Sequence, residues 1–353
     1  MADSADSSSY DYDYDLPAEA VAQTPLEPRS AARMLVACDP GAGPGPGPVE
    51  HRRVADLVDY VRAGDVVVVN ETRVLPARLV LNKATGGSVE VLLLEPYDDS
   101  GENPQGIGEW QALVRPSRRV APGTTLFSSE GEAVVVVGER LGDDRRRVRL
   151  LAPLDSHGQV ALPPYIHEPL AEPSRYQTVY ARRPASVAAP TAGLHLTHEV
   201  LDGIAGQGGE VHTVDLAVGL GTFRPMTAHR VDDHVMHEES YRVPEATMAA
   251  CQQARRVLAV GTTTVRALEA AAVSGRMEGR TDLFIRPGFD FRVVDLLFTN
   301  FHLPRSSLLV LLAAFVGPRR WKPLYSLALS QGYRFLSFGD AMLVGRAADQ
   351  AGR

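Results

Sequence analysis

Between Leu75 and Leu162 the chain passes through a series of short β-rich runs, ARLVL, SVEVLLLEP, WQALVRP, TTLFSS, AVVVVGERL and RRVRLLAP, parted by turn residues that include Gly86, Gly87, Gly123 and Gly138. Short strands at close, even spacing suit a small antiparallel barrel, whose closure removes exposed sheet edges. On either side the pattern switches. Upstream, VADLVDYVRAGD reads as a short amphipathic helix with Val54, Leu57, Val58 and Val61 on one face and Gly64 at its end, leading into the strand from Val66 to Asn70. Downstream, helices alternate with buried strands: HEVLDGIAGQG, EVHTVDLAV, ATMAACQQARR, VLAVGTTTV and TVRALEAAAVSG, then VVDLLFTNFHLP, the apolar helix SLLVLLAAFVG and a loop, YRFLSFGDAML. The expected fold class is an α/β main domain with an inserted antiparallel β-barrel domain. Its boundaries are a disordered tail at 1–13, the α/β catalytic domain at 14–74 and 163–353, and the barrel at 75–162.

At 353 residues the chain exceeds the roughly 250 to 300 residues at which single cores stop growing, which agrees with two domains. Apolar residues at 44% and charged residues at 22% are ordinary globular usage, so disorder is confined to the polar N-terminus and to loops such as GAGPGPGP, Gly41 to Pro48. Cys38 and Cys251 are the only cysteines, too few for a disulfide framework or a four-thiolate zinc site, and a reducing cytoplasm is expected. The N-terminus lacks an apolar signal core, and the run from Leu308 to Val316 is too short to span a bilayer. The net charge of −7 gives no general attraction to nucleic acid, so any RNA contact must be local. The candidates are Arg115, Arg118 and Arg119; Arg145, Arg146, Arg147 and Arg149; Arg182 and Arg183; and Arg319, Arg320 and Lys322. Taken singly, each cluster reads as a solvated surface with nearby acids such as Asp143 and Asp144.

Four loops join small residues to reactive side chains at the ends of expected strands, where open α/β sheets bind ligands: SVAAPTAGLH, GLGTFRP, VGTTTVR and TNFHLP. In the first, Ala188, Ala189, Ala192 and Gly193 admit a ligand close to the backbone, and Ser186, Thr191 and His195 offer hydroxyls and an imidazole. A tight packed turn with a hydrogen-bonded His195 is the ordinary alternative. Gly219 and Gly221 make a G-x-G turn, but Arg224 stands where a dinucleotide fingerprint needs its third glycine, which argues against a Rossmann cofactor. Such a loop still presents amides and a guanidinium to a carboxylate or ribose. Thr262 and Arg266 do the same at the next strand, with an intrahelical pair to Glu269 as the alternative for Arg266. His234, His237 and Glu238 invite a metal reading if helical, but the order is not HExxH and no third ligand falls at a matching spacing, so no metal site is assigned. Asn300 and His302 end a buried strand and are candidates for substrate contact, against a capped turn.

In this order the loops resemble those of the S-adenosylmethionine:tRNA ribosyltransferase-isomerase family. The likeness runs from YDLPAEAVAQTPLEPR, Tyr14 to Arg29, through GDVVVVNETRVLPARL, LPPYI, RYQTVYA, SVAAPTAGLHLT, VGLGTFRP, HEESY, AVGTTTVRALE, FIRPGF and TNFHLPRSSLL to GDAML at Gly339 to Leu343. The resemblance implies S-adenosylmethionine as a ribosyl donor, consumed as a substrate with no further cofactor. The acceptor would be tRNA carrying 7-aminomethyl-7-deazaguanine, and the products epoxyqueuosine, adenine and methionine. The sulfonium acidifies the C5′ hydrogens, so a modest base can begin the reaction. His195 or His302 is the expected group for proton transfer, Arg224 and Arg266 would orient the donor carboxylate or an RNA phosphate, and Ser186, Thr191, Thr222, Thr262 and Asn300 would bind ribose hydroxyls or adenine. A cytoplasmic monomer without membrane association is expected. Departures from the family pattern are Ala217 where a histidine is usual, Leu196 for phenylalanine, Ala185 for glycine and ARML at Ala32 to Leu35. Ala217 keeps two alternatives open: a diverged paralogue acting on a small-molecule amine, and an inactive RNA-binding relative.

Overall fold

The structure is a computed structural model that describes residues 8–39, 45–97, 107–142, 145–219 and 225–347. Gly221, Thr222 and Arg224 of the G-x-G loop, the acids Asp143 and Asp144, most of the expected tail and part of GAGPGPGP lie outside the described residues. In chain order the strands begin with β1 (Arg33–Ala37), β2 (Glu50–Arg53), β3 (Asp65–Asn70) and β4 (Thr72–Val74). Next come β5 (Arg78–Lys83), β6 (Ser88–Pro96), β7 (Gly108–Arg115), β8 (Thr125–Phe127), β9 (Ala133–Gly142), β10 (Arg145–Leu150) and the one-turn helix α1 (Leu154–His157). After β11 (Arg183–Ser186) follow α2 (His198–Gly206), β12 (Glu210–Leu216), β13 (Glu239–Arg242), α3 (Glu245–Gln253), β14 (Arg256–Val260), α4 (Thr262–Ser274) and β15 (Glu278–Thr281). The chain closes with β16 (Leu296–Asn300), α5 (Ser307–Val316), α6 (Trp321–Ser330) and β17 (Ala341–Gly345).

These elements form two compact units, one of Met1–Thr72, Pro164–Arg182 and Ala189–Arg353, the other of Arg73–Pro163 and Arg183–Ala188. The first unit is built on a nine-stranded mixed sheet in the order β15-β13-β12-β3-β14-β16-β17-β1-β2. Strands β12, β3, β14 and β16 run parallel, so their C-terminal ends share one edge. Central strands covered on both faces need apolar residues at every position. VVVV of β3, LLF of β16 and AMLVG of β17 meet that demand, and the polar ends Asp65, Asn70, Thr299 and Asn300 are buried with them. One face packs Val67, Val69, Leu258, Val260 and Phe298 against Val54, Leu57, Leu196, Val200 and Ile204. Val54 and Leu57 belong to the segment Val54–Tyr60, expected as a short amphipathic helix, which winds as a 3-10 helix. Leu196, where the family has phenylalanine, is a sealed position of this core.

Three expectations are corrected in this unit. The polar tail at 1–13 is expected to be disordered, with nothing to bury, yet within it Ser9–Tyr12 forms a 3-10 turn with Ser9 and Tyr12 buried, and Tyr12 stacks on Trp321 at 6.3 Å between ring centroids. An aromatic in a polar run finds its partner only across the sequence. AMLVG, read as part of a loop, is β17, antiparallel to β16 and parallel to β1, because a fully buried strand has no alternation to betray it. α6 was also not foreseen; Pro323 stands in its first turn, where a missing amide costs little.

The second unit is a closed antiparallel barrel, β10-β7-β6-β5-β8-β9. Alternation is visible in β5, where Leu79 and Leu81 are sealed while Val80 is half exposed. Residues 183–188, assigned from sequence to the α/β domain, belong here: β11 pairs with β4, and the Leu75 amide donates to the Ser186 carbonyl at 2.9 Å. Inside the barrel Arg146, 1% exposed, donates to the carbonyls of Gly138, Ser117 and Val120.

Candidate active site

The C-terminal edge of the parallel strands carries VGTTTVR, at the end of β14, and TNFHLP, at the end of β16. β16 ends at Asn300, and the 3-10 segment Thr191–His195 packs against that strand. The carboxamide Nδ2 of Asn300 lies 2.8 Å from His195 Nε2 and donates to the Leu336 carbonyl at 3.1 Å. Asn300 Oδ1 is buried with no hydrogen-bond partner, an acceptor that a substrate N–H or O–H would satisfy. The His195 ring stands edge-on to Phe298. His302 places Nε2 3.2 Å from the Thr299 hydroxyl; its amide donates to the Tyr325 hydroxyl at 2.8 Å, and its carbonyl accepts from the Tyr14 hydroxyl at 2.5 Å.

Burial sets the protonation of both imidazoles. It drives His195 down to about 4, with the cations Arg334 and Arg29 pushing the same way, and it drives His302 down to about 3. Both rings are therefore neutral near pH 7. Two small clefts open beside them. Arg29, Arg175, His195 and Phe338 line one; Thr191, Asn300, His302 and Ser306 line the other. Ser337 borders both, on a loop whose Leu336 sits at φ 69, in the left-handed region that residues with a Cβ rarely adopt. Strained backbone of this kind recurs where a structure holds a site in shape. Gly339 permits the loop, since a Cβ there would come within 2.5 Å of the Arg334 carbonyl.

Of the residues expected from sequence, His195, Thr191, Asn300 and His302 are brought together here. Gly193 adjoins them for a different reason than ligand approach: a Cβ would lie 2.0 Å from the Tyr180 hydroxyl, so glycine is what the packing demands. Ser186 belongs to the barrel unit and donates within its own turn to the Ala188 carbonyl at 2.6 Å. Thr262 begins α4 and is buried beside Thr263, whose hydroxyl meets Asn70 Nδ2 at 3.4 Å. Arg266, 4% exposed, forms an ion pair with Glu239 and donates to the Leu283 carbonyl at 3.2 Å, while its Nη2 is buried with no hydrogen-bond partner. The other Glu239 oxygen accepts the Gly219 amide at 3.1 Å, so Arg266 holds the base of the G-x-G loop. Glu269, the alternative partner, instead accepts the amides of Arg292, Val293 and Val294. Ala217, at the departure from the family pattern, is half-buried, and its amide donates to the Ser240 carbonyl at 3.0 Å.

The shared helix face considered for His234 and His237 does not form, for the helical turn there ends at Asp233. His234 rests edge-on to Phe284, and Glu238 pairs with Arg280 at 3.0 Å. Among the described residues no group of three or more His, Cys, Asp or Glu side chains could hold a metal. Two of the four basic clusters lose members to the interior: Arg146 to the barrel, and Arg320 to the carbonyls of Pro46, Ala37 and Asp39. Arg115, Arg118, Arg119, Arg149, Arg182 and Arg183 remain exposed. Among the described residues no helix is long and apolar enough to cross a membrane.

Sequence reasoning missed Arg29, Arg175, Tyr14 and the Leu336–Ser337 corner. Arg29 donates to the carbonyls of Gln177 and Leu194 at 2.6 and 3.3 Å, and Arg175 to the Leu26 carbonyl at 2.6 Å. Each lies in a segment of family likeness or in the late aromatic loop, but the spacing carried no chemical signature.

The queuosine biosynthesis protein family matches residues 9–344. An S-adenosylmethionine:tRNA ribosyltransferase-isomerase of Rubrobacter xylanophilus is 48% identical over 332 residues, covering 93% of this chain and 95% of that protein. The enzyme of the same description from Thermus thermophilus is 47% identical over 348 residues, covering 93% and 97%. The crystal structure of an S-adenosylmethionine tRNA ribosyltransferase from Thermotoga maritima superposes with a TM-score of 0.53 at 36% identity, covering 95% of this chain and 99% of that one. With that match spanning both units, the chain belongs to the queuosine biosynthesis protein family.

Proposed function

We propose that this chain is an S-adenosylmethionine:tRNA ribosyltransferase-isomerase. It transfers and isomerises the ribosyl moiety of S-adenosylmethionine onto 7-aminomethyl-7-deazaguanine in tRNA, giving epoxyqueuosine, adenine and methionine. The observation that carries this reading is the 48% identity to the Rubrobacter xylanophilus enzyme over 93% of the chain. S-adenosylmethionine is consumed as a substrate, and the reading invokes no further cofactor. The protein acts as a cytoplasmic monomer.

The residues suit the chemistry. A sulfonium makes the neighbouring C5′ hydrogens acidic enough for a modest base, and departure of adenine opens the ribose to the amine of the acceptor. Proton transfer falls to His195 or His302, both of which burial keeps neutral. Arg29 gives one cleft the charge that a carboxylate or phosphate oxygen seeks, beside Arg175, which is paired with Glu27 at 3.1 Å. Thr191 and Asn300 meet ribose hydroxyls or adenine, and Thr262 and Ser186 keep the same role by family likeness. Thr222 and Arg224 are assigned to the donor by family likeness, and Arg266 acts through Glu239.

Incubation with S-adenosylmethionine and tRNA carrying the precursor base should release adenine in step with tRNA labelling from ribose. Adenine release with a small amine but not with tRNA would replace the acceptor, and no release with either would end the reading. His195→Ala should cut turnover by roughly 10²-fold or more while leaving the fold intact by circular dichroism.

A further inference from the structure

The contacts of Asn300 say more about His195 than their distance does. A carboxamide nitrogen carries two N–H donors and accepts nothing, and its two contacts here are the Leu336 carbonyl at 3.1 Å and His195 Nε2 at 2.8 Å. A carbonyl can only accept. Turning the amide over would set Oδ1 against the Leu336 oxygen, so Leu336 decides which end of Asn300 faces the ring. Each Nδ2 proton is then used once, and Nε2 must receive the second. Leu336 is itself held, at φ 69, with its amide donating to the Phe301 carbonyl at 3.2 Å. Among the described residues no hydrogen bond reaches His195 Nδ1, and the ring lines the cleft with Arg29 and Arg175.

We propose that Asn300 is a positioning residue that locks His195 in the neutral tautomer protonated on Nδ1, so that His195 presents an N–H donor to its cleft while its other nitrogen is occupied. The consequence for turnover rests on the reaction proposed above: His195 polarises or orients a substrate acceptor, and proton abstraction passes to His302. The tautomer itself rests on the geometry alone.

The test uses the full chain with ¹⁵N in its histidines. Two-bond ¹H–¹⁵N spectra at neutral pH distinguish the tautomers, and His195 is assigned by its absence from His195→Gln. The expected pattern is a protonated Nδ1 with an unprotonated Nε2. A protonated Nε2 in the unsubstituted protein overturns the proposal, and this measurement needs no variant at position 300. Asn300→Leu, close in volume and without a donor, should move His195 to a mixture rich in the Nε2–H form; an unchanged Nδ1–H pattern there means that Asn300 does not set the tautomer. In the adenine-release assay, Asn300→Leu should lower kcat on the order of 10²-fold, beyond any rise in KM from the lost substrate contact. A raised KM with kcat intact would make Asn300 a binding group only. If the unsubstituted protein releases no adenine, the reaction falls while the tautomer result stands.

Discussion

Arg146 in the barrel and Arg266 in the sheet unit are both nearly sealed from water, at 1% and 4% exposure, and their neighbours compensate the charge in opposite ways. Arg146 faces only backbone carbonyls, and burial, with the nearby Arg140 cation, pulls its guanidinium below the usual range. Arg266 faces a carboxylate, Glu239, which also receives the Gly219 amide. Carbonyl dipoles hold a cation where it stands and make it a brace between β9 and the turn at Ser117 to Val120 that supply them. An ion pair makes two buried charges depend on each other, and here it joins α4 and β13 to the start of the G-x-G loop. The first arrangement ends within the barrel; the second ends at the Gly219 amide, where the G-x-G loop begins.

The largest effect should come from splitting the pair. Glu239→Ala leaves the Arg266 charge buried and should destabilise the protein by about 3–5 kcal/mol in urea unfolding, because an uncompensated interior charge is among the costliest defects. A loss below about 1 kcal/mol would mean that Arg266 is not sealed in solution. Arg146→Met should cost less, about 1–3 kcal/mol, since it strands neutral carbonyls and leaves no charge behind. If the barrel variant proved the worse of the two, the contrast drawn here would be inverted.

The two imidazoles represent a third solution, in which burial removes the charge altogether. Their folded-state values, about 4 for His195 and about 3 for His302, lie below the ordinary 6.5. Below 6.5 the unfolded chain takes up protons that the folded one refuses, so stability falls as the pH drops from 6.5 toward 4. Each ring should contribute about 1 kcal/mol of loss by about pH 5.5, read from urea midpoints, and His302→Gln should remove its share. A midpoint that does not move over that interval would show the rings to be hydrated. The smallest effect sets the scale for a neutral bond at the protein surface. The Thr197 hydroxyl caps α2 by accepting the Val200 amide, and Thr197→Ala should cost about 1 kcal/mol or less.

Much of the fold was legible because periodicity is local. The barrel strands announce themselves by alternation, as in Leu79, Val80 and Leu81, and β3 by an unbroken apolar run. β17 and the docking of Tyr12 escaped because neither a strand buried on both faces nor a single tyrosine in a polar tail carries a period. At the site, the hydroxyls, small residues and imidazoles around His195 and His302 could be named from residue type, whereas Arg29 and Arg175 looked like any surface cation until the cleft gave them a neighbour.

The amino-acid sequence by itself determined the alternation that makes a barrel, inserted in the chain between two parts of an α/β unit, and the reactive groups His195, Asn300 and His302, since both are written within a few neighbouring residues. Tertiary structure alone decided what those groups face: Glu239 for Arg266, carbonyls for Arg146, and Asn300 with Leu336 for His195. The reason is distance along the chain. His195 and Asn300 are 105 residues apart, and only the packing of a loop onto the end of β16 brings a donor to Nε2 and leaves Nδ1 with the proton.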